Sequence, residues 1–133
     1  MTTFIKKLDP IIRRDPRYAY EVYEFVFHGL EHAQKLLGRD ESSHTEDTSF
    51  HVTPRQLVEG ICHLARIEFG LMAPVVFRMW GVRNTSDFGE VVFNLIDAEL
   101  MSRTPDDNRA DFDDLFDLDD ALVHDFRIVM EED

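Results

Sequence analysis

Cysteine is nearly absent. Cys62 is the single one in 133 residues, so no disulfide can close within the chain and a disulfide-stapled secreted scaffold is excluded. Basic residues are scarce as well: 14 Lys and Arg stand against 27 Asp and Glu, a formal net charge of −13. Binding a phosphate backbone requires a basic face, so nucleic acid is not an expected partner. No run approaches the roughly 18 uninterrupted apolar residues that span a bilayer. The opening Met1–Asp9 stretch has neither the apolar core nor the small-residue cleavage site of a secretory signal. A cytoplasmic chain with no membrane partner is therefore expected. Repeats are missing, and so are low-complexity tracts outside the acidic end. What is present is apolar: 44% of residues are hydrophobic and 11% aromatic, more than a disordered chain carries. The length suits one domain over residues 1–133.

Charge is unevenly distributed. Residues 1–40 hold seven basic and six acidic side chains, whereas residues 105–133 hold twelve acidic ones against Arg109 and Arg127. Apolar periodicity predicts a mainly α fold of about five helices. Asp15-Pro16 reads as a cap and first turn for a helix over 16–37 with Ala19, Val22, Tyr23, Val26, Leu30, Ala33 and Leu37 on one stripe. Its flanks add Tyr20, Phe25 and Phe27, wide enough to suggest homodimerisation. Residues 39–52 read as a polar loop. Thr53-Pro54-Arg55-Gln56 forms a capping box, opening a helix lined by Leu57, Val58, Ile61, Leu64, Ala65 and Phe69. Residues 72–80 predict a short helix apolar on nearly every side, hence central to the core. A helix from Asn84 to Met101 follows, then an acidic hairpin or loop over 105–120, and a last helix capped by Asp117. Three helices followed by a turn-centred hairpin near 101–116 is also the order of a winged-helix domain. Its would-be recognition helix presents Asp87, Glu90, Asn94, Asp97 and Glu99, which would repel phosphate, so a nucleic-acid-binding winged helix would be a degenerate one.

Asp15-Pro-Arg-Tyr-Ala-Tyr-Glu-Val-Tyr-Glu-Phe-Val26, Glu59-Gly-Ile with Phe69-Gly70 and Trp80-Gly-Val82, Thr85-Ser-Asp-Phe-Gly-Glu-Val-Val-Phe-Asn-Leu95, and Asp111-Phe-Asp with Phe116-Asp together resemble a small family of conserved hypothetical proteins of planctomycetes and verrucomicrobia. The resemblance covers most of residues 15–117. It implies no activity, cofactor or catalytic residue.

Four groups of residues bear on chemistry. Glu21, His28 and His32 lie within about 40° on a helical wheel, and the i, i+4 histidine pair suits Zn²⁺ or a similar ion. A third ligand from elsewhere would be needed, so a solvated polar face is the competing reading. Cys62 and His63, being neighbours on a helix, point about 100° apart and cannot act as a dyad. Glu68 falls within the apolar arc of its helix, where a carboxyl is raised in pKa and can act as acid or base, unless it pairs with Arg78 or Arg83. The aspartates Asp106, Asp107, Asp111, Asp113, Asp114 and Asp117 fail the calcium-loop template, with Leu115 and Phe116 where a ligand and a glycine belong. They read instead as a surface that docks a basic protein partner. The expected function is thus a non-catalytic protein-interaction or accessory module without a cofactor. A small metal-dependent or acid–base enzyme built on His28/His32 or Glu68 is the alternative.

Overall fold

The computed structural model of the chain describes residues 2–38, 52–101 and 108–123. The fold is mainly helical: α1 (Thr2–Arg14), α2 (Tyr20–Leu36), α3 (Pro54–Phe69), α4 (Ala73–Met79), α5 (Thr85–Asp97) and α6 (Leu118–Val123), with 3-10 turns at Gly70–Met72 and Arg109–Phe112. Among the described residues there is no strand. The wing expected near 101–116 is therefore not seen there: its described part, from Asn108, folds as a 3-10 turn capped by the Asn108 side chain. The polar loop 39–52 lies outside the described residues except for Val52, as do Asp106 and Asp107.

The helix α1 is an addition to the expected set. Phe4, Leu8 and Ile11 recur at helical spacing, and Leu8 and Ile11 are buried. Pro10, which deprives the helix of one N–H, lies inside it and masks the pattern. Phe4 meets the edges of Tyr20 and Phe27 at ring-centroid distances of 6.0 and 5.4 Å, so the α2 flanks that suggested a dimer are partly covered within the chain. Phe25, on the opposite flank, is buried against Phe69, Phe77 and Trp80.

The start of α2 also differs from expectation. The helix begins at Tyr20 and its N-cap Ala19 has no side-chain cap. Asp15 instead receives two 2.7 Å hydrogen bonds from the Arg17 guanidinium and one of 3.1 Å from Asn94. These hold its carboxyl far below the usual carboxylate range. Asn94, expected on a polar face, is buried and also donates to the Tyr23 hydroxyl at 3.0 Å. Arg17 reaches on to Glu90 at 3.2 Å, and Tyr18 donates to Asp87 at 2.6 Å. This polar knot ties the α1–α2 junction to α5.

Helices α2 and α3 form the most extensive pairing. Contacts Phe25–Phe69, Gly29–Ile61 and Ala33–Gly60 run in antiparallel order. At Gly29 an added Cβ would strike Ile61, and at Gly60 it would lie 2.5 Å from the Ala33 Cβ. Each helix thus carries a glycine where the other presses closest. The capping box of α3 forms as expected, with Thr53 accepting from the Gln56 N–H and Gln56 accepting from the Thr53 N–H, both at 3.0 Å. Beside this pair an aromatic group gathers: Phe77 meets Phe25, Trp80 and Phe88 at 5.6–6.0 Å. Such contacts add about 0.5–1.5 kcal/mol each beyond area burial.

The segment expected at the centre of the core is peripheral. Helix α4 buries only Ala73 and Phe77 and exposes Val75 and Met79. Gly81 at φ +97° turns the chain directly after it, against the Arg17 carbonyl where no Cβ would fit. By length and composition the run Pro54–Met79 is apolar enough to cross a bilayer, but it is interrupted at Gly70 and buries Leu57, Val58 and Ile61 in the core.

Gly60→Ala is expected to destabilise the fold by about 1–3 kcal/mol through overpacking, although alanine is the better helix former by about 1 kcal/mol. Adding Ala33→Gly should recover most of that loss. Urea unfolding of the three chains checks it. An unchanged midpoint for Gly60→Ala would rule out the close contact.

Candidate functional site

The close approach of α2 and α3 has a chemical result one turn along each helix. His32 follows Gly29 by three residues and His63 follows Gly60 by three, and the two imidazoles meet with Nε2 of His32 2.8 Å from Nδ1 of His63. The rings stack with centroids 5.0 Å apart. Only one of these nitrogens can carry the shared proton, so the contact requires at least one neutral ring. Burial pushes the His32 pKa down, and the neighbouring His63 and Lys35 push it further the same way. His32 therefore does not point freely to water, as its place opposite the apolar stripe implies; it is half-buried against α3.

His32 also walls an open groove of about 550 Å³, within the size range of ligand sites. The floor is Phe25, Leu64, Phe69 and Trp80; the rim carries Glu21, Glu24 and Glu31 from α2 and Glu68 from α3. Glu21, His28 and His32 thus share one surface. Among the described residues, however, no three His, Cys, Asp or Glu side chains converge closely enough to hold an ion. His28 lies exposed 3.9 Å from Glu31.

Glu68 is exposed at the rim instead of lying within the apolar arc. Among the described residues neither expected arginine forms an ion pair with it, and Arg78 pairs with Asp119 instead. The buried carboxylate of α3 is Glu59, which the apolar pattern does not single out. Burial raises its pKa, while Arg55 at 3.1 Å acts in the opposite sense. Arg55 also donates to the Leu115 carbonyl at 3.0 Å and stands over the Phe116 ring, so this pair fastens α3 to the acidic turn. Cys62 is fully buried, and burial pushes its thiol far above the normal range. It is a small apolar filler of the core.

The acidic turn is held from beneath. Thr85, buried at the start of α5, donates to the Phe112 carbonyl at 2.7 Å and accepts from the Leu115 N–H at 3.1 Å. Asp111, Asp113 and Asp114 are left exposed, the last with a positive φ of 47°. Asp117 has a structural task, accepting from the Asp120 N–H at the start of α6.

A series of exposed large apolar side chains runs from the last turn of α3 through α4. Ile67 is 62% exposed, Leu71 83%, Met72 56%, Val75 43% and Met79 76%. All five lie between the end of α3 and the end of α4. We call this stretch the ledge. Compared with known protein families, curated proteins and solved structures, the chain matches none.

Because the folded pKa of His32 lies below that of the unfolded chain, the unfolded state takes up its proton first as pH falls. Stability is expected to be full above the unfolded value of about 6.5 and to decline as pH drops below it. Thermal melts between pH 8 and 5 should show this decline in the parent, and a weaker one in His32→Gln. Identical pH profiles for the two chains would remove the histidine pair as its cause.

Proposed function

We propose that this chain is a non-catalytic protein-interaction module that docks a basic partner. The observation that carries this reading is the ledge. Soluble monomers rarely leave a contiguous series of large apolar side chains in water, and where they do it marks a contact surface. The two methionines suit such a surface, because an unbranched thioether adapts to the shape it meets.

The charge distribution supports a basic partner. A net charge of −13 raises the encounter rate with cationic surfaces and disfavours acidic ones. Asp111, Asp113 and Asp114, displayed on a pinned turn, add to that field, and Asp106 and Asp107 belong to the same acidic segment. The candidates for catalysis have other occupations. His32 engages His63 through Nε2, and Glu68 stands at an open rim where water reaches it, the reverse of the desolvated setting an acid–base carboxyl requires. The groove faces acid, and phosphate would be repelled from it.

Placing the photo-crosslinking residue benzoylphenylalanine at Met79 should yield a discrete adduct in native lysate, fading as salt rises. The same residue at exposed Lys7 on α1 should give none. Leu71→Ser with Met79→Ser should abolish docking while shifting stability by only about 0.5 kcal/mol, as for ordinary surface changes. An adduct at twice the chain's mass would make the partner a second copy. No discrete adduct at Met79 would refute the reading.

A further inference from the structure

The groove and the ledge are parts of one continuous path of chain. Phe69 and Trp80 both floor the groove, and the segment between them carries Leu71, Met72, Val75 and Met79 with their side chains in solvent. The chain therefore leaves the groove at one aromatic, passes through these exposed apolar side chains and returns to it at the other. Along the groove the fixed charge is almost all of one sign. Glu21, Glu24, Glu31 and Glu68 stand against Lys35 alone. Among the described residues Glu21, Glu24 and Glu68 have no ion-pair partner, and Glu31 has only His28.

We propose that groove and ledge together bind a basic amphipathic helix. This rests on the interaction-module reading and names the partner's chemistry. An apolar floor alone would accept any greasy face. Ringed by carboxylates, it favours one whose flanks carry Lys or Arg, and it repels one flanked by acids. The groove volume admits one or two large apolar anchors, while the rest of the helix's apolar face covers the ledge. Flanking cations then meet the rim glutamates, and one of them can stack on the half-buried Trp80 ring.

Trp80 is the chain's single tryptophan, so its emission reports on the groove floor. The full chain is titrated with three Trp-free peptides of about five helical turns. One is a Leu/Lys amphipathic helix, one has Gln replacing every Lys, and one is the Leu/Lys composition in scrambled order. The Leu/Lys helix should bind one to one with a saturable change in Trp80 emission. The scrambled and Gln peptides should bind at least about tenfold more weakly, and raising salt from about 50 to about 500 mM should weaken the Leu/Lys helix by a similar factor. Glu21→Gln/Glu24→Gln/Glu68→Gln should cost about tenfold in affinity. Removing the same number of charges by Asp111→Asn/Asp113→Asn/Asp114→Asn should change it less than about threefold. Equal binding of the Gln and Lys helices overturns the basic partner and leaves the interaction reading standing. Binding that leaves Trp80 unperturbed, or that the two triple variants weaken alike, overturns the groove as the site. Failure of all three peptides overturns this inference, and the Met79 adduct then reports separately on whether the ledge docks anything.

Discussion

The structure depends on how closely two helices approach. Where α2 and α3 cross, each supplies a glycine beneath the other's side chain, Gly29 under Ile61 and Gly60 against Ala33. Without those two missing methyls the helices would stand further apart, and contacts down the whole seam would loosen. The seam sets the tilted Phe25–Phe69 ring contact at 5.5 Å at one end and the His32–His63 contact beyond its middle. It also defines the groove, whose two lips are the outward faces of this pair. A backbone packing constraint thus decides which polar and aromatic groups meet at the surface.

A second constraint decides what is left over. The α1–α2 junction is locked to α5 by Asp15, Arg17 and Asn94, and the turn at Gly81 is bound to that junction by the Ala19 N–H donating to the Trp80 carbonyl at 3.0 Å. With its exit held there, α4 contributes Ala73 and Phe77 to the core and faces outward with the rest. A helix apolar on all sides is buried in a large protein. In this small one α2, α3 and α5 supply most of the core, with smaller contributions from α1, α4 and α6, and the other large side chains of α4 face outward.

Much of the helical framework was legible in the sequence because caps and periodicity agreed. Thr53-Pro54 with Gln56 marked α3 to the residue, and Gly38 and Gly70 marked two helix ends. Where the structure departs from the sequence pattern, the causes are particular. Pro10 concealed α1. Asp15 looked like a cap because caps are recognised by residue type, whereas its actual partners, Arg17 and Asn94, include one that is distant in sequence. Pro105-Asp106-Asp107-Asn108 has the chemistry of a hairpin turn, but the flanking residues that are described bond to Thr85 and Arg55 through a 3-10 turn. The site was half legible. His28, His32, Glu21 and Glu68 were singled out individually and do line one groove, yet periodicity on one helix cannot show what lies across from it. A clue was present: Gly29-Leu-Glu-His32 and Gly60-Ile-Cys-His63 repeat the same spacing on the two helices that pack together. The exposure of α4 left no such trace, because an apolar residue in a sequence does not record whether the core has room for it.

Cys62 gives the molecule a practical property. Its sulfur is sealed inside the α3 side of the core, and its thiolate is strongly disfavoured there, so the native protein presents no reactive thiol to alkylating reagents or oxidants near neutral pH. A cysteine introduced anywhere on the exterior would be chemically unique without removing the natural one. Dyes, spin labels or tethers can therefore be placed one position at a time on an otherwise unmodified fold.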